Sequence, residues 1–177
     1  VDVVVPDRLI QLDPAVVPVT RPRRPAELGS TWPVSVRVGG RLDNGEDWTR
    51  LIDVYRALIA NPCAVRWIDD PPPGDLYQEL WAAPRVAVSG TVPASLDEPP
   101  PDRLLDAVYA SPIVFWPASE AVSRDDIDLL LTEHWPNLPS VVAEARRRRH
   151  GSSAGKLRHL WEDDQWLTLA SVMEKYG

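Results

Sequence analysis

Prolines set the grain of this chain. Nineteen of them are spread through its 177 residues, as the triplets Pro71-Pro72-Pro73 and Pro99-Pro100-Pro101 and singly between apolar runs. Proline fixes φ and lacks a backbone donor, so it closes a helix or strand and does not continue one. The chain must therefore be built from short elements with abrupt ends. Between the prolines, apolar runs of strand character alternate with stretches whose apolar residues recur at intervals of three and four.

That alternation can be followed residue by residue. Val1 to Val5 is a strand stopped by Pro6, and Asp7 to Leu12 is a turn of helix or an edge strand. Residues 13–31, with four prolines and three arginines, make an irregular surface excursion. Trp32 to Val38 alternates with period two up to Gly39-Gly40, a strand expected to pair antiparallel with the first. Asp47 caps a helix striped by Leu51, Ile52, Tyr55, Leu58 and Ile59, ended by Asn61-Pro62. Cys63 to Ile68 is a strand closed by Asp69-Asp70 and prolines. Asp75, with Gln78 as its capping-box partner, opens a second helix that buries Leu76 and Leu80.

Arg85 to Ser89 is a strand, and the third helix, carrying Leu104, Leu105, Val108 and Tyr109, starts inside the second proline triplet. Pro112 to Trp116 is the most hydrophobic strand. Cys63–Ile68, Arg85–Ser89 and Pro112–Trp116 are expected at the centre of the sheet. Ser123, with Asp126 three positions on, opens a fourth helix through Ile127, Leu130, Leu131, His134 and Trp135. A fifth helix runs from Pro139 to His150 with arginines in its last turn. Gly151 to Gly155 is a flexible joint, Leu157 to Trp161 a last strand, and Trp166 to Tyr176 a closing helix. The sum is a single α/β domain over residues 1–177, a three-layer, mostly parallel sheet with helices on both faces and an antiparallel pair at one edge.

Composition narrows the setting. With 44% apolar and 25% charged residues the chain is globular. The net charge of −7 disfavours a duplex-binding face. Residues 61–145 hold fourteen acids against four arginines, and Arg146 to Arg149 then supply four positive charges in a row. Four consecutive helical residues spread around the helix and form no single stripe, so nucleic acid is not an expected partner. No apolar stretch approaches eighteen residues, and no leader of basic, apolar and small residues precedes the first strand, so no membrane partner is expected. The lone Cys63 permits no internal disulfide and fits a reducing, cytoplasmic compartment.

Chemistry is thin. Gly39-Gly40-Arg41 lacks the lysine-serine end and the glycine spacing of a phosphate loop and reads as a tight turn. Cys63 reads as a small buried hydrophobe, and His134, beside Trp135 on an apolar stripe, as a packed residue. Three dispersed histidines with one cysteine do not suit zinc, and no cofactor motif is present. Two readings remain for the acids that follow tryptophan-ended strands. Ligands of open α/β sheets bind outside the carboxyl ends of strands. If their strands were parallel neighbours, Asp69 or Asp70 and Asp163 or Asp164 would share Mg²⁺, as in a metal-dependent hydrolase or nucleotide-binding domain. Otherwise Trp67, Asp69, Asp70, Trp116, Trp161, Glu162, Asp163 and Asp164 form an aromatic-acidic rim that recognises another protein. The plainer reading of the tryptophans is as lids on core layers.

A set of short motifs bears on that choice. They are Val3 to Leu12, Leu28-Gly29, Pro33 to Arg37, Arg41, Trp48, Val65-Arg66-Trp67, Ile113 to Pro117, Leu138-Pro139 and Leu160 to Asp164. Together they resemble the C-terminal domain of vWA-MoxR-associated proteins, multidomain proteins of bacterial conflict systems. The resemblance implies that the chain is the C-terminal part of a longer protein. It also implies a non-catalytic regulatory or protein-interaction module. Its partners would be a MoxR-type ATPase, a von Willebrand-type protein or an adjacent protease-like module.

Overall fold

The structure, a computed structural model, describes residues 2–10, 14–19, 26–43, 48–61, 64–71, 74–91, 100–118, 122–148 and 151–176. Six short strands, each meeting a proline, glycine or acid at its end or within two residues beyond it, join into one sheet: β1 (Asp2–Val5), β4 (Ser35–Val38), β5 (Val65–Trp67), β6 (Val86–Val88), β7 (Ile113–Pro117) and β8 (Leu157–Trp161). Their order is β1-β4-β8-β7-β6-β5. Neighbours are parallel except β7 and β8, which run antiparallel with Val114 opposite Leu160. The excursion ahead of β4 carries a two-stranded ribbon, β2 (Pro18–Val19) and β3 (Ala26–Glu27), and the single turn α1 (Leu28–Thr31).

Side chains alternate across β7, and the core divides accordingly. Val114 and Trp116 face a layer made by α3 (Leu76–Ala82) and α4 (Asp102–Ala110), where Leu80, Leu104 and Val108 are buried. Ile113 and Phe115 face the other layer, built from α2 (Trp48–Ala60), α5 (Arg124–His134) and α6 (Leu138–Arg147). The last helix, α7 (Asp164–Tyr176), packs Leu167 and Ala170 against Trp48 and Leu51 of α2. The expected three-layer α/β architecture is what forms. No described helix is long and apolar enough to cross a membrane.

Local signals act where they were read. The Asp75 carboxylate accepts from the Tyr77 and Gln78 amides at 2.9 and 3.4 Å, and the Ser123 hydroxyl accepts from the Asp126 amide at 3.1 Å. Each thereby satisfies amides that the first helical turn leaves without partners.

Three expectations are corrected. β1 and β4 pair parallel, and the antiparallel pair lies at the middle of the sheet. Two helices, α5 and α6, separate β7 from β8. They run out and back, so β8 starts at the end of the sheet where β7 finished and runs against it. Second, β5, the observed part of the Cys63–Ile68 run, lies at the edge of the sheet, and among the described residues its only neighbour is β6. Val65 and Trp67 are accordingly half-buried, while β6 is buried throughout. Third, Ser153–Lys156, which overlaps the joint expected over Gly151 to Gly155, forms a 3-10 turn with Ala154 buried.

Candidate functional site

Strand direction decides where the candidate residues go. Trp67, Asp69 and Asp70 follow β5, while Trp161, Glu162, Asp163 and Asp164 end or follow β8. Because β8 opposes β5, β6 and β7, the two groups lie at opposite ends of the sheet, with β7 and β6 between their strands. The shared aromatic-acidic rim does not form, and the paired carboxylates are not brought to one Mg²⁺. Among the described residues no three histidine, cysteine or acidic side chains are grouped as metal ligands would be.

Each candidate is engaged within the fold. Asp69 accepts from the Gly90 amide at 2.5 Å, the Ser89 hydroxyl at 3.1 Å and the Thr91 hydroxyl at 3.0 Å, tying the turn after β5 to the exit of β6. Asp70 takes both ends of the Arg124 guanidinium, which holds its carboxyl below the usual range. The same guanidinium lies 4.7 Å from the Trp67 ring centre. Trp116 is 0% exposed and so offers nothing to a partner. Trp161 is buried between Phe115 and Trp135, at ring separations of 6.1 and 5.1 Å. Asp163 accepts from the Trp166 amide at 2.8 Å at the start of α7, and Asp164 pairs with Arg56 at 3.0 Å.

The basic run is divided in the same way. Arg146 donates to the Leu157 carbonyl at 2.5 Å, while Arg147 and Arg148 pair with Glu144 at 2.6 and 2.7 Å. Arg149, Cys63 and His150 lie outside the described residues. His134 is partly exposed at the end of α5, 3.8 Å from Glu133. His159 is buried on β8, and burial first, then Arg146 and Arg37, lowers its pKa to about 3. It is a neutral core residue at ordinary pH and no base.

A different constellation gathers at the carboxyl ends of β1, β4 and β8. Glu162 is 1% exposed and pairs with Arg41, itself 3% exposed, whose second amino group reaches the Ser111 carbonyl at 2.6 Å. Burial pushes the Glu162 carboxyl up, against the pull of Arg41 and Arg37. Arg37 bridges Asp2 at 2.8 Å and the Trp161 carbonyl. Beside them Asp7 accepts from the Gly40 amide at 3.1 Å and from the Tyr109 hydroxyl. A Cβ at Gly40 would land on both the Tyr109 hydroxyl and the Asp7 carboxylate, so only glycine lets the turn come this close.

Against this cluster opens a cavity of about 250 Å³. The turn after β4 and the start of α2 supply Arg41, Trp48 and Leu51, and α3 and α4 supply Tyr77, Leu105, Asp106 and Tyr109. Burial, with Asp75 and Asp102 nearby, raises the Asp106 carboxyl. Among the described residues the titratable side chains that line the cavity are Arg41, Tyr77, Asp106 and Tyr109.

Of these residues sequence reasoning placed only Glu162 in a site, as part of the rim, and not Arg41 or the cavity lining. The one available signal was Gly39-Gly40 at a strand's carboxyl end, where α/β sheets bind ligands. Set against protein-family models, curated proteins and solved structures, the chain matches none of them.

Proposed function

We propose that the chain is a non-catalytic regulatory or protein-interaction module of a multidomain bacterial conflict or defence protein, working in the cytoplasm. One observation carries the non-catalytic part. The strand-end acids are spent on partners within the fold, most completely in the buried pairing of Glu162 with Arg41. A general acid or base must instead keep its proton-exchanging oxygen within reach of a substrate. The choice of partners, a MoxR-type ATPase, a von Willebrand-type protein or an adjacent protease-like module, follows the motif resemblance of the sequence.

The test mixes the purified chain with a MoxR-type ATPase and a von Willebrand-type protein from the same bacterium and reads association by analytical ultracentrifugation. A defined complex is the expected result. The same preparation is titrated with Mg²⁺ and Mn²⁺ and assayed for nucleotide and ester hydrolysis. Metal-dependent turnover that disappears in the Asp69→Ala/Asp163→Ala double variant would overturn the non-catalytic reading.

A further inference from the structure

Side-chain ties hold the walls of the cavity between α2, α3 and α4 in place. Arg50 donates to the Leu80 and Trp81 carbonyls at 3.1 Å and to the Ala110 carbonyl at 3.3 Å, fastening α2 to the ends of α3 and α4. The Tyr109 hydroxyl donates to Asp7, and Arg41 reaches Glu162 and the Ser111 carbonyl. The space of about 250 Å³ is therefore framed before any ligand arrives.

Charge selects what enters it. Glu162 neutralises Arg41, and Asp106 is the other charged side chain of the lining. Burial and the like charges of Asp75 and Asp102 act on the Asp106 carboxyl, and all three disfavour its ionised form. A cation brought beside it offsets that cost. Around it stand Leu51, Leu105 and the rings of Tyr77 and Tyr109, which give a cation an apolar approach and aromatic faces. The volume lies below the roughly 300–1,000 Å³ of pockets for drug-sized ligands, so the occupant is no larger than a side chain. Lysine carries a compact ammonium on a flexible stem and lays that stem along apolar surface.

We infer that this cavity is a socket for a lysine side chain presented by the module's protein partner. The ammonium pairs with Asp106, and the stem lies among Leu51, Leu105 and the two tyrosine rings. The inference rests on the protein-interaction reading and names the chemistry that the module recognises, a lysine projecting from the partner's surface.

The test titrates acetyl-Gly-Lys-Gly-amide into the chain and follows the NMR resonances of the cavity residues. Three counterparts carry norleucine, Nε-acetyl-lysine or arginine in place of lysine, and n-butylammonium serves as a free amine. One side chain offers few atoms, so binding at millimolar concentration is expected. The lysine peptide should shift Leu51, Leu105, Asp106 and Tyr109 saturably, and the two uncharged counterparts should leave them unmoved. Asp106→Asn should weaken lysine binding about tenfold or more, because a charge-assisted contact is lost. Leu105→Trp, which fills the cavity, should abolish it. Both variants are first checked for unchanged thermal unfolding, and where one fails the comparison of lysine with norleucine on the parent chain decides. The inference fails if the lysine peptide moves none of these resonances, if an uncharged counterpart binds as tightly, or if folded variants bind like the parent. Tighter binding of the arginine peptide, or of n-butylammonium, would equally overturn the lysine socket. A complex with the MoxR-type ATPase or the von Willebrand-type protein that forms as well with Asp106→Asn would refute the socket and leave the interaction reading standing. Failure to form any such complex counts against the interaction reading, while the peptide titration decides the socket by itself.

Discussion

Arg41 and Glu162 show how much one buried pair can commit a fold to a single arrangement. Both side chains are almost wholly removed from water, and the pair joins the turn after β4 to the end of β8. Such pairs add little net stability, because desolvation offsets attraction, yet leaving one partner alone is costly. Arg41→Met should therefore destabilise the chain by about 3–5 kcal/mol in urea unfolding, and Arg41→Met/Glu162→Leu should recover most of that loss. His159 makes a prediction of opposite character. Its folded pKa of about 3 lies below the ordinary 6.5, so between these values the unfolded chain holds the extra proton. Stability contributed by the neutral ring is complete above about pH 6.5 and is lost as pH falls toward 3. His159→Phe should flatten the stability curve across that window by about one proton, as measured by urea midpoints at successive pH values.

At the scale of elements, capping and connection length account for most of what formed. Asp75 and Ser123 were identified from residue type alone, because the chemistry of a first helical turn is local. Asp75→Ala should cost about 1 kcal/mol in urea unfolding, and Ser123→Ala a similar amount. Strand partners were harder to read. A buried parallel strand and an edge strand both appear as short apolar runs, so Cys63–Ile68 gave no sign that its strand would have one neighbour. The direction of β8 was legible in principle, since two helices were expected between the last two strands. Counting helices would have reversed β8 against β7, yet the same count fails between β4 and β5, which run oppositely with α2 as the described helix between them.

Over the whole molecule, the sheet's centre is the pair that changes direction. β7 is buried along its full length and supplies side chains to both helical layers. Val114→Asp would place an unpaired carboxylate there, and the domain should lose its cooperative thermal transition in calorimetry. Reversing direction at β7 and β8 also gathers the carboxyl ends of β1, β4 and β8 at one end of the sheet. The buried pair of Arg41 and Glu162 stands there, three strands from the acids that follow β5.

β2, β3 and α1 lie where an irregular excursion was expected, but the sequence by itself determined the strands of the main sheet and the helices that cover them, the caps Asp75 and Ser123, the three-layer class and the ends of the strands. These depend on interactions within a few residues: proline's fixed φ, the period of apolar side chains and the amides of a first turn. Only the tertiary structure decided which acids meet which arginines. Asp70 to Arg124 spans 54 positions and Arg41 to Glu162 spans 121, and no local rule reaches so far. The acids after Trp67 and Trp161 look alike as sequence because each follows a tryptophan-ended strand. They differ in the fold because strand direction, a property of the whole chain's path, sends one group to each end of the sheet.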